Sequence, residues 1–114
     1  MRRDRQRLLD ILEALDSLAR IVGGRTETGF LTDEALCYAA AQRLTVVGEA
    51  AARLSPVLQQ RRPEVPWADI VAFRNFLVHE YFGIHWPIVW QTATDDAPRL
   101  RAQIGEILLA EFPG

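Results

Sequence analysis

Lysine is missing altogether: all 13 basic residues of the 114 are arginine. Genome composition accounts for such a bias more readily than function does, although arginine suits bidentate phosphate binding. Cysteine occurs once, at Cys37, which excludes an internal disulfide and a cysteine-based zinc site. No apolar run reaches about 18 residues, so no membrane span is expected. The opening "MRRDRQRLLD" has no signal-peptide hydrophobic region, and a cytoplasmic location is the expectation. Neither sign of charge is in excess; the net of −2 advertises neither nucleic acid nor an anionic membrane, which leaves only a local basic cleft open. Alternating strand patterns, repeats and low-complexity tracts are absent too. Apolar residues at 49% and charged residues at 25% are ordinary for a soluble globular chain, long enough to build a core without disulfide or metal staples.

Helical periodicity is plentiful. Leu8, Ile11, Leu12, Leu15, Leu18, Ala19 and Val22 follow the three-and-four spacing of one amphipathic face. "GGRTETG" should end that helix as C-cap and loop. Thr32 with Asp33 and Glu34 reads as an N-cap with acids in the first turn. A second stripe runs through Leu36, Ala40, Leu44, Val47, Ala51 and Leu54, followed by Ser55 and Pro56 as cap and first residue of a short turn. Pro66 can start a third helix through "WADIVAFRNFLVHE". The fourth carries Val89, Ala93, Ala97, Leu100, Ile104 and Ile107, and Pro98 inside it should kink or split it. The expected fold is an all-α antiparallel bundle of four to five helices, with residues 1–114 as a single domain.

The third helix holds the chemistry. At about 100° per residue, Phe73, Leu77 and Ile70 form one apolar arc, and Trp67, Val71 and Val78 form another on the far side of Arg74. Two arcs imply packing on two bodies, the domain's own core and a second copy of the chain across a two-fold axis. Asn75 and His79 share the remaining polar face, and Tyr81 returns to the Arg74 face if the helix lasts that far. Arg74 and His79 lie about 140° apart, too far round for a tight pair without arginine's reach, a distorted last turn or the partner's groups. Histidine titrates near neutral pH, so it can take the proton from a ribose 2′-hydroxyl or give one to a leaving 5′-oxygen. A guanidinium can bind the scissile phosphate and stabilise its transition state. Metal and cofactor are unnecessary, because the 2′-hydroxyl is an internal nucleophile. By spacing alone, an Arg and a His on a buried helix are more often structural residues that hold carboxylates or loop carbonyls than catalytic ones. Gly48 weakens a helix by about 1 kcal/mol, which close approach of the third helix would explain.

"RNFLVHEY" matches the R-x4-H-x-Y signature of HepT-like toxins in the HEPN ribonuclease superfamily. "VVGEAAARLS" resembles that family's Gly-Glu-Ala segment, and "RRPEVPWADIVAFRNFLVHEYFGIHWPIVW" resembles its approach, motif and following stretch. The resemblance implies a bundle that dimerises through the motif helix and cleaves RNA without metal. Arg74 and His79 would be the catalytic pair, Asn75 would order the histidine or the phosphate, and Glu49 would support them or else serve as a buried acceptor for Arg74 or an amide of the third helix. It implies as partner an MntA-type nucleotidyltransferase antitoxin, which silences the toxin by adding AMP to Tyr81. A non-catalytic module that binds RNA or nucleotide, or a purely structural helical dimer, are the alternatives. His85, where relatives carry an acidic or amide residue, is expected to cap a helix.

Overall fold

The computed structural model describes residues 2–114, the side chains of Arg2 and Tyr81 excepted. Every regular element among them is helical: α1 Arg2–Val22, α2 Glu27–Leu31, α3 Glu34–Ala52, α4 Pro56–Arg61, α5 Trp67–His79, α6 Trp86–Gln91 and α7 Ala97–Glu111. A 3-10 turn, Tyr81–Gly83, follows α5, and a π-helical segment, Thr92–Asp96, joins α6 to α7. The chain is an all-α helical bundle, as its periodicity implied. Among the described residues no helix is long and apolar enough to cross a membrane.

The α1 stripe buries Leu8, Ile11, Leu15 and Leu18 almost completely, although Ala19 lies exposed beside it. These side chains meet Ala40, Leu44, Val47 and Ala51 of α3 and Ile104 and Ile107 of α7 in one core. Each fully buried Leu or Ile contributes about 1.5–3 kcal/mol relative to exposure, enough to fix which face of each helix turns inward. Helix α3 lies between α1 and α5. Its inward face is built from Ala40, Ala41, Gly48, Ala50 and Ala51, small residues that admit neighbours closely.

Local signals explain most helix boundaries. Gly24 adopts φ +72°, the left-handed conformation that lets the chain turn after α1. Residues 23–26 form the expected loop, but the last three residues of "GGRTETG" instead open α2, because Thr26 accepts a hydrogen bond from the Gly29 amide (3.0 Å) and caps one helical turn. That turn buries Phe30, tilted against Trp90 at 5.2 Å. Thr32 consequently closes α2, and Asp33, not Thr32, caps α3 by accepting from the Leu36 amide at 3.2 Å. Ser55 caps α4 as expected, and its amide and hydroxyl also donate to the buried Asp4 at 2.9 and 2.6 Å. Pro98 is accommodated rather than left as a break: the Ala97 amide donates to the Thr92 carbonyl, a five-residue π bond just ahead of the proline.

Candidate active site

Helix α5 rests on α3 and stands off from the rod formed by α6, the π segment and α7. Between them lies an open cleft of about 550 Å³. Trp67 and Leu77 are the buried residues of α5. Trp67 had been expected on the outward arc; it belongs to the chain's own core, with its indole N–H donating to the Arg62 carbonyl at 3.0 Å. Ile70 and Phe73, assigned to the core arc, line the cleft half-buried. Val71 is half-buried and Val78 is 47% exposed, so the outward arc is shorter than its sequence pattern suggested.

Gly48 determines how closely the two helices meet. A Cβ there would stand 2.2 Å from Arg74 Cβ and 2.7 Å from Arg74 Cγ, distances that no side chain tolerates. The stem of Arg74 therefore lies directly on the α3 backbone. The next residue along, Glu49, then meets the guanidinium, with Nη1 and Oε1 2.8 Å apart. Arg74 Nε donates to Asn75 Oδ1, also at 2.8 Å. Held on two edges, the guanidinium has lost much of its rotamer freedom; among the described residues nothing bonds its Nη2 group. Glu49 is thus the acceptor for Arg74, though half-exposed rather than buried. Asn75 orders the arginine and makes no bond to His79.

His79 is the last residue of α5, exposed and without a side-chain hydrogen bond among the described residues. Glu80 ends the helix: its amide donates to the Phe76 carbonyl at 2.9 Å, and its carbonyl accepts from the Gly83 amide at 2.8 Å. The α-helix stops before Tyr81, which opens the 3-10 turn and does not continue the Arg74 face helically. Its side chain lies outside the described residues. Arg74 and His79 make no contact, in keeping with their separation of about 140° and one and a half turns. His85 occupies the N-cap position of α6 as expected, but its side chain makes no capping bond; its carbonyl alone accepts, from the Ile88 amide at 3.0 Å.

On the other side of Glu49 a groove of about 310 Å³ runs between α1 and α3, with Arg7, Asp10, Glu13, Arg43, Glu49 and Arg53 on its walls. Sequence reasoning missed Arg43 and Arg53. Their signal was the spacing of 43, 46, 50 and 53, one face of a helix, beside Glu49.

A family model described as ribonuclease HepT-like matches residues 11–107. The chain belongs to the HepT-like ribonuclease family. Among its relatives is a provisionally named RNase of Caldanaerobacter subterraneus subsp. tengcongensis, 34% identical over 111 residues, or 97% of this chain and 99% of the relative. A provisionally named RNase of Methanocaldococcus jannaschii is 33% identical over 101 residues, covering 89% of this chain and 84% of the relative. A protein of Thermococcus cleftensis, provisionally named ribonuclease HepT, is 28% identical over 100 residues, covering 88% and 91%. No solved structure matches the chain significantly. Membership gives the Arg74–Glu49–Asn75 cluster a setting: a polar cluster where α5 meets α3 in a chain of the HepT-like ribonuclease family.

Proposed function

We propose that residues 1–114 form one HEPN-type domain that acts as the toxin of a type VII HepT/MntA system, a metal-independent endoribonuclease. One observation carries the reading. In a chain of the HepT-like family, Arg74 is held by Glu49 and Asn75 while His79 stands exposed on the same helix. A preorganised guanidinium whose Nη2 group meets no partner among the described residues can bind a scissile phosphate without reorganising during the reaction. His79 takes the proton of the ribose 2′-hydroxyl. The 2′-oxygen then forms a bond to phosphorus as the bond to the 5′-oxygen breaks, and the departing 5′-oxygen is protonated. The products are a 2′,3′-cyclic phosphate and a 5′-hydroxyl end. A homodimer built through α5 supplies a second His79, so that one histidine serves as base and the other as acid.

Tyr81 is the proposed modification site, where an MntA-type nucleotidyltransferase attaches AMP and so sets an anion at the mouth of the RNA cleft. The purified protein should cleave RNA in the presence of EDTA and leave cyclic phosphate ends. His79→Ala should abolish cleavage while the melting curve stays close to wild type, since that side chain is exposed and makes no hydrogen bond among the described residues. Arg74→Lys should restore little, because an ammonium cannot meet Glu49, Asn75 and a phosphate together. Chelator-sensitive cleavage, or 3′-hydroxyl products, would refute the mechanism. RNA binding with no cleavage by the wild type would favour a non-catalytic module. Tyr81→Phe should cleave like wild type and escape silencing by the nucleotidyltransferase.

A further inference from the structure

The α1/α3 groove shares a wall with the site: Glu49, the acceptor of Arg74, also lines it. Its other charges are unevenly committed. Asp10 accepts from Gln6 Nε2 at 3.0 Å and stands 3.9 Å from Arg7, and Glu49 is taken by Arg74. Arg43 at one end and Arg53 at the other form no ion pair among the described residues. Arg61 and Arg62 are bound to Glu111 and Arg101 to Asp16, whereas Arg3, Arg5, Arg20, Arg25 and Arg99, like Arg43 and Arg53, form no ion pair among the described residues; what sets Arg43 and Arg53 apart is that both line one groove. With Arg74 included, the groove and its margin present four guanidiniums against three carboxylates, two of which are already engaged.

The dimensions suit a strand. Arg43 and Arg53 are separated by ten residues of helix, about 15 Å at 1.5 Å per residue, so the two guanidiniums can meet different phosphates of one strand. Ala14, Val46 and Ala50, small or uncharged, also line the groove. We propose that this groove is a phosphate track for single-stranded RNA, in which Arg43 and Arg53 hold the backbone of the strand flanking the phosphate bound by Arg74. The track deepens the ribonuclease reading and rests on it. The two arginines are positioning residues and touch no reacting atom. They bind by charge, so they contribute affinity and register without sequence preference.

The test uses the full chain and a fluorescein-labelled 2′-O-methyl oligouridylate of about a dozen nucleotides, which cannot be cleaved, with affinity read by anisotropy across a salt series. Loss of two phosphate contacts should weaken binding of the R43Q/R53Q variant several-fold and flatten its log–log salt slope by about 1.4. R43K/R53K should keep the wild-type slope, since charge alone is needed. Arg101→Gln should behave as wild type, because that arginine is spent on Asp16. If the wild type cleaves RNA and the glutamine variant keeps the full slope, the track is wrong and the ribonuclease reading stands. If the lysine variant falls as far as the glutamine one, the effect is not phosphate binding and the track is equally refuted. A wild type that neither binds the oligonucleotide nor cleaves RNA would overturn both.

Discussion

Arg74 is fixed by a neighbour that has no side chain. Gly48 is the only residue type that lets the arginine's Cβ and Cγ lie against α3, and the Glu49 contact depends on that approach. Gly48→Ala therefore sets two effects against each other. Alanine favours an isolated helix by about 1 kcal/mol, but its methyl group would drive α3 and α5 apart at a cost of about 1–3 kcal/mol. The clash involves Cβ as well as Cγ, so the arginine cannot swing clear, and net destabilisation in a denaturant titration is expected, with weaker RNA cleavage. A variant as stable and active as wild type would mean the helices separate freely. Gly48 was legible as a point of close approach because a mid-helix glycine needs a reason. The Arg74–Asn75 bond was not, since adjacent residues on a helix point about 100° apart and only arginine's length bridges them.

At the scale of elements, long stripes were readable and short ones were not. α1, α3 and α7 each repeat their apolar spacing over several turns, whereas α2 is one turn whose capping threonine sits among glycines that resemble loop. Pro98 signalled a fault in the last helix but not its kind, because a π bond depends on backbone that no side-chain pattern reports. The end of α7 is tied down by charge: Arg62 Nη1 meets Glu106 at 2.7 Å and Arg61 meets Glu111 at 2.6 Å, while Arg62 Nε also donates to Glu111. The Arg62 hydrogen bond, with Arg61 beside it, holds the Glu111 carboxyl below the ordinary glutamate value. A depressed carboxylate stabilises the fold fully above its unfolded pKa, near 4.3, and that contribution is lost as pH falls through the folded value. Glu111→Gln should accordingly lower Tm at neutral pH, and the difference should shrink as the medium is made progressively more acidic than the unfolded glutamate value. A constant difference across that range would show that the ion pairs do not anchor α7.

For the whole molecule, α5 is the least embedded of the long helices. α3 supports it on one side, a cleft separates it from α7, and only Trp67 and Leu77 are fully buried. A second copy packed through Val71 and Val78 would cover its outer side. Val78→Glu should then give a monomer by sedimentation, remove most RNA cleavage and lower Tm only by what the dimer contact contributes, since the side chain is already exposed within one chain. A fully active monomer would separate catalysis from assembly. The half-open setting of α5 also grades how the backbone breathes. Amides of α1 and α3, shielded by core on several sides, should exchange with deuterium only through global unfolding, while those of α5 open through a smaller, local fluctuation. Dilution below the dimer's dissociation constant should speed exchange in α5 first. The helix that carries Arg74 and His79 would then be steadied further when two chains meet, and the solitary chain would be the slackest form of the protein.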